Sequence, residues 1–260
     1  MIDLSFPIGE LEYYLLILTR VTCFIFIVPF FGMENTPRRV KVGFGVFVSI
    51  LLYYSTMPHV YPQYETVIGY AVIVIKEAAT GLLIGLSAQM CTSAISFAGR
   101  IIDMDIGFAM VNQMDPSTKE MATITGVFYQ YLFMLILIIS GMYRFILKAL
   151  AQTFTLIPIN GAVFHMDALF TQMMKFMVDY IVIGFRIALP IFAVITLLNA
   201  ILGILAKVAP QMNMFAVGMQ IKILVGLIIM FFTISMLPSA ANFIFEEMKK
   251  MMVAFVEALM

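Results

Sequence analysis

Charge is scarce in this chain. Only 12% of its 260 residues are Asp, Glu, Lys or Arg, against roughly a quarter in soluble domains. The 15 basic and 15 acidic residues cancel, so neither a nucleic acid nor a strongly charged partner is implied. Cysteine is confined to Cys23 and Cys91, both inside apolar runs, which argues against a disulfide framework or a zinc site. Histidine is confined to His59 and His165, far apart in expected loops. GxxxxGK, HExxH and GxSxG are all missing. No catalytic activity, metal or cofactor is therefore expected, and energy for any transport has to come from partners or a gradient. The start, MIDLSFPIGELEYY, places acidic residues where a signal peptide needs basic ones, so it is expected to be retained.

What the chain does have is apolar length. At 63% hydrophobic residues and a mean hydropathy of +1.04, it reads as an all-α membrane protein of long hydrophobic helices and helical hairpins. Residues 11–31 form a first spanning run interrupted by Arg20. A turn follows with Arg38, Arg39 and Lys41 against Glu34, a positive-inside signal that puts it in the cytoplasm. Residues 42–57 are a short span or re-entrant element. Residues 67–98 would measure about 48 Å as one helix, well beyond a hydrocarbon core of roughly 30 Å. Gly81, Gly85, Ala88, Thr92 and Ser96 recur along that run and predict a groove for close helix approach. Residues 121–143 read as one clean span, and 144–175 as two surface helices around a Pro158–Gly161 break. The segment 176–206 is overlong, with Pro190 expected to kink it, and pairs with 212–237 as a hairpin. Past Pro238, Ser239 is placed to cap an amphipathic helix bearing a Glu246–Lys250 pair.

Between two apolar runs lies a polar island, residues 99–120. It holds Arg100, Asp103, Asp105, Asp115, Lys119 and Glu120, together with Gly99, Gly107 and Pro116. Non-helical backbone between membrane helices is tolerated only where it is buried in protein or lines water, so this stretch is expected to line a pore or form a gate. Asp103 and Asp105 could be imagined as a metal pair, but alternate residues diverge. Arg20, Lys76, Glu77, Asp179, Arg186 and Lys222 are ionisable groups at membrane depth, where charge costs at least about 2.5–3.5 kcal/mol. Arg20 and Lys222 could snorkel. Lys76 and Glu77, adjacent in sequence, cannot face each other on a helix, so each needs its own partner.

Three sets of residues then carry a resemblance: Arg20, Pro29, Gly32, Pro37, Arg38 and Lys41; Gly107, Phe108 and Ala109 through Asp115 and Pro116; and Leu202 and Gly203 through Ala209, Pro210, Gln211, Met212, Asn213, Met214 and Phe215, with Lys222 and Gly226. In this order and over nearly the whole length, the chain resembles the FliR/SctT family of type III secretion export gates. The DPSTKE stretch favours the flagellar branch.

The resemblance implies a pore-forming subunit of a multi-subunit helical export gate in the bacterial inner (cell) membrane, within the flagellar basal body. It implies FliP-like and FliQ-like gate subunits, FlhB and FlhA as partners, and unfolded export substrates as cargo. Residues 1–175 would be a FliP-like helical portion carrying the pore-facing loop 99–120. Residues 176–260 would be a FliQ-like hairpin plus the C-terminal helix. Gly107, Phe108, Ala109 and Met110 would plug the pore, with Asn112, Gln113, Asp115 and Pro116 in the same loop. Ala209, Pro210, Gln211, Met212 and Asn213 would form a partner-facing turn. The rival expectation is a standalone secondary transporter using Lys76, Glu77 or Arg186, although no inverted repeat of that kind is visible.

Overall fold

The structure, a computed structural model, describes residues 8–33, 36–108, 123–211 and 213–260. Among these residues the chain is helical, without strands. The helices are α1 (Ile8–Ile27), α2 (Arg38–Ser55), α3 (Val67–Ile106), α4 (Ile124–Ile139), α5 (Met142–Leu156), α6 (Met166–Val208), α7 (Met214–Thr233) and α8 (Leu237–Glu257). Among the described residues, three stretches are long and apolar enough to cross a membrane: Val67–Ile106, Met166–Val208 and Ala216–Glu257. The protein is an all-α membrane protein.

The chain divides into two compact units. The first comprises Met1–Met90, Gly141–Phe176 and Glu247–Met260. Here α1 lies against α3 because α3 presents glycine. A Cβ on Gly81 would sit 2.2 Å from the Arg20 carbonyl oxygen, and one on Gly85 would sit 3.0 Å from that of Phe24. Lys41, one of the cations of that turn, is buried and donates to the Gly32 carbonyl at 2.9 Å. Met248, Met252, Phe255 and Leu259 are buried, and the Val163 N–H bonds the Leu259 carbonyl at 3.0 Å.

The second unit comprises Cys91–Ser140 and Met177–Glu246. The end of α3 packs on α4 at two glycines, where a Cβ on Gly99 would lie 2.1 Å from the Gly126 Cα. Gly184 leaves space for the Phe97 ring, and Gly226 for Ile106. Phe133 and Phe245 meet with centroids 5.0 Å apart.

Several expectations need correction. The island's first part, Gly99 to Ile106, is helix: α3 runs 40 residues unbroken, about 60 Å long. The apparent single span 121–143 is broken, because α4 ends at Ile139 and Gly141 adopts φ +72° before α5 begins. Hydropathy cannot register a backbone angle. The second helix expected within 144–175 is the start of α6, which runs on through Pro190 to Val208. Pro238 lies inside α8, which follows α7 through a single 3-10 turn at Ile234–Met236, so Ser239 is not an N-cap. Lys250 Nζ also lies 2.7 Å from Glu247 Oε1.

Candidate functional site

Two polar constellations stand out, one in each unit. In the first, Arg20 is fully buried, not snorkelling. Its Nε donates to Glu77 Oε2 at 2.5 Å, and its Nη1 donates to the carbonyls of Ile157 at 2.8 Å and Thr153 at 3.3 Å. The Phe154 ring lies 4.5 Å from the guanidinium carbon. The second oxygen of Glu77 accepts the Asn160 N–H at 2.9 Å, with Asn160 in the left-handed region at φ 64°. One ion pair thus ties α1, α3, α5 and the following turn, and its charges are satisfied by hydrogen bonds as burial requires. Lys76, on a neighbouring face of α3, is half-buried.

The second constellation is the end of α3. Asp103, buried, accepts the Thr125 N–H at 3.2 and 3.3 Å through its two oxygens. It thereby satisfies an orphan donor in the first turn of α4, where a negative charge also suits the helix dipole. Asp105, two positions on, faces elsewhere, so the two carboxylates do not form a metal pair. Among the described residues no group of three His, Cys, Asp or Glu is placed to hold a metal. The helix stops at Gly107, whose φ of +101° favours glycine. Phe108 follows in a tight turn, half-buried.

Beside this end is a notch of about 370 Å³, lined by Met104, Asp105, Ile106 and Gly107 of the α3 end, Asn199, Leu202 and Gly203 of α6, and Gly218, Met219 and Lys222 of α7. Sequence reading marked Gly107 and Lys222 separately. It had no signal that Asn199 and Asp105 share a wall with them, because segments of three different helices build it. Arg186 is exposed, its guanidinium carbon 4.7 Å from the Phe243 ring centre. At the α6–α7 turn, Ala209, Pro210 and Gln211 precede Asn213, whose side-chain oxygen accepts the Ala216 N–H at 3.3 Å and caps α7. Ala109, Met110, Asn112, Gln113, Asp115, Pro116 and Met212 lie outside the described residues.

Residues 11–248 match the family described as bacterial export proteins, family 1. The chain belongs to that family. The export proteins it resembles include the flagellar biosynthetic protein FliR of Bacillus subtilis, 30% identical over 86% of each chain. FliR of Aquifex aeolicus is 24% identical over 92% of each. FliR of Escherichia coli is 22% identical over 96% of this chain and 94% of its own. The matched range of the export family takes in both constellations, from α1 into α8.

Proposed function

We propose that this chain is a structural, pore-lining subunit of the flagellar type III export gate in the bacterial inner membrane, required for protein export during flagellum assembly. Its membership of the bacterial export family, with FliR relatives matching nearly end to end, carries this reading. The partners are FliP-like and FliQ-like gate subunits, FlhB and FlhA, and the cargo is unfolded polypeptide. Residues 1–175 act as the FliP-like portion and 176–260 as the FliQ-like hairpin, with the turn 209–213 facing a partner. No catalytic residue is needed.

Two features support it. On α6 and α7, Leu197, Ile204, Val208, Phe231 and Phe232 are between 64% and 75% exposed, a surface that only lipid or other subunits can cover. The α3 helix stops just before Phe108, so that ring heads the loop assigned as plug. An apolar ring closes a narrow channel to ions by dewetting, yet gives way to an unfolded chain because its contacts are non-directional.

The test is Phe108→Ala in the complex purified from cells expressing the neighbouring genes. Ion conductance is expected to rise with assembly unchanged; unaltered conductance would remove the plug role. A wild-type chain recovered only as a monomer or homodimer would remove the gate reading itself.

A further inference from the structure

The notch at the end of α3 holds one polar atom that the fold leaves unanswered. Asp105 Oδ2 is shielded from solvent and has no hydrogen-bond partner. A buried acceptor left so is destabilising, and more so when charged. Lys222 and Asn199 line the same notch without reaching that oxygen.

The wall therefore offers one carboxylate, one ammonium and one amide, with no net charge. A lone cation suits Asp105 but faces Lys222, and a lone anion meets the reverse. The complementary group is neutral and carries a donor and an acceptor together; a hydroxyl has both on one atom, whereas a carboxamide sets them on two and can face the carboxylate and the ammonium at once. The surroundings define what delivers it. Leu202 and Met219 line the notch, and Met104, Ile201 and Ile204 nearby are 74%, 54% and 64% exposed, so the carrier is an apolar element. A Cβ built on Gly203 would meet nothing within 4 Å, leaving room for another backbone to come close, as small residues do between membrane helices.

We propose that the notch receives the side-chain carboxamide of an asparagine or glutamine on an apolar helix of a neighbouring subunit. Its NH2 donates to Asp105 Oδ2 and its oxygen accepts from Lys222. The inference rests on the chain being a subunit of a larger membrane complex, as proposed above.

A photoreactive benzophenone residue at Met104, in the full chain co-expressed with its neighbouring genes, tests the occupant directly. The expected product is a cross-link to another subunit within about one helical turn of an Asn or Gln. A complex that gives only a phospholipid adduct, no adduct, or a cross-link remote from any amide overturns this proposal while leaving the gate reading intact. A chain that assembles with nothing overturns both.

Asp105→Leu supplies a second readout. Recovery of the complex is expected to fall about tenfold, because the partner amide loses its acceptor. Asp105→Asn, which keeps a carbonyl oxygen, stays near wild type. The melting temperature of the isolated chain does not fall in Asp105→Leu, since the orphaned oxygen is gone. Equal complex recovery for Leu and Asn, or a destabilised isolated Leu variant, would mark Asp105 as an internal structural residue and overturn the proposal.

Discussion

Arg20 and Glu77 stand 57 positions apart in sequence and 2.5 Å apart in the fold, with both side chains fully buried. The hydrogen bonds of this pair run from α1 and α3 to the end of α5 and the turn after it, so it determines where those segments meet.

Breaking the pair from one side leaves a buried charge alone. Glu77→Leu is therefore expected to lower stability by roughly 3–5 kcal/mol, whereas the double change Arg20→Met with Glu77→Leu costs much less. Thermal unfolding in mild detergent distinguishes them. Equal losses would mean that the pair acts through shape rather than charge.

Glycine position separates tight crossings from open helix. Gly81→Ala drives a methyl group into the Arg20 carbonyl, and Gly99→Ala drives one into the Gly126 backbone. Each is expected to cost at least about 1–3 kcal/mol, because backbone cannot yield as a side chain does. Gly43 has nothing within 4 Å of an added Cβ, so Gly43→Ala is expected to be neutral or slightly stabilising. A series in which all three melt alike would contradict this assignment of the crossings.

Gly107 ends α3 in a backbone conformation hostile to side chains. Gly107→Val is expected to cost on the order of 1–3 kcal/mol locally and to redirect Phe108. Amide exchange at the last turn of α3 should then accelerate, and ion leak through the assembled complex should rise as in Phe108→Ala. Unchanged exchange would mean that the turn tolerates another conformation.

Asn213 caps α7. Asn213→Ala is expected to cost about 1 kcal/mol, and Asn213→Ser to restore most of it. Hydrogen exchange in the first turn of α7 reads this directly. Protection equal to wild type in the alanine variant would show that the cap contributes nothing.

Glu10 gathers the phenols of Tyr53 and Tyr61 and lies 3.2 Å from His59 Nδ1. The Tyr61 hydrogen bond to this carboxylate pushes the phenol's pKa above its ordinary 10.0. A raised folded-state pKa means that the bond's contribution is complete below pH 10 and is lost as pH climbs through the raised value. Protease protection of the loop after α2 should therefore hold to pH 10 and decline above it, with the decline absent in Tyr61→Phe. A loop equally open at neutral pH would refute the clasp.

Much of this protein was legible without coordinates, because its signals are local. Scarce charge and long apolar runs give a membrane protein at once, and the helical spacing of Ile244, Phe245, Met248, Met251, Met252, Phe255 and Leu259 marks an apolar stripe of which all but Met251 are buried. Proline and asparagine around residue 210 mark the α6–α7 turn for the same reason. Partnership was not legible. Nothing near Glu77 names Arg20 as its counter-ion, nothing near Gly81 or Gly99 names the backbone that each admits, and the two island aspartates look alike although Asp103 caps α4 while Asp105 turns into a notch. Helix period and turn chemistry act between residues a few positions apart, so sequence by itself determined the elements. Ion pairing, close glycine crossings and the notch join residues tens to more than a hundred positions apart. Only tertiary packing decided those, because burial makes each charge and each missing side chain answer to whichever segment arrives beside it.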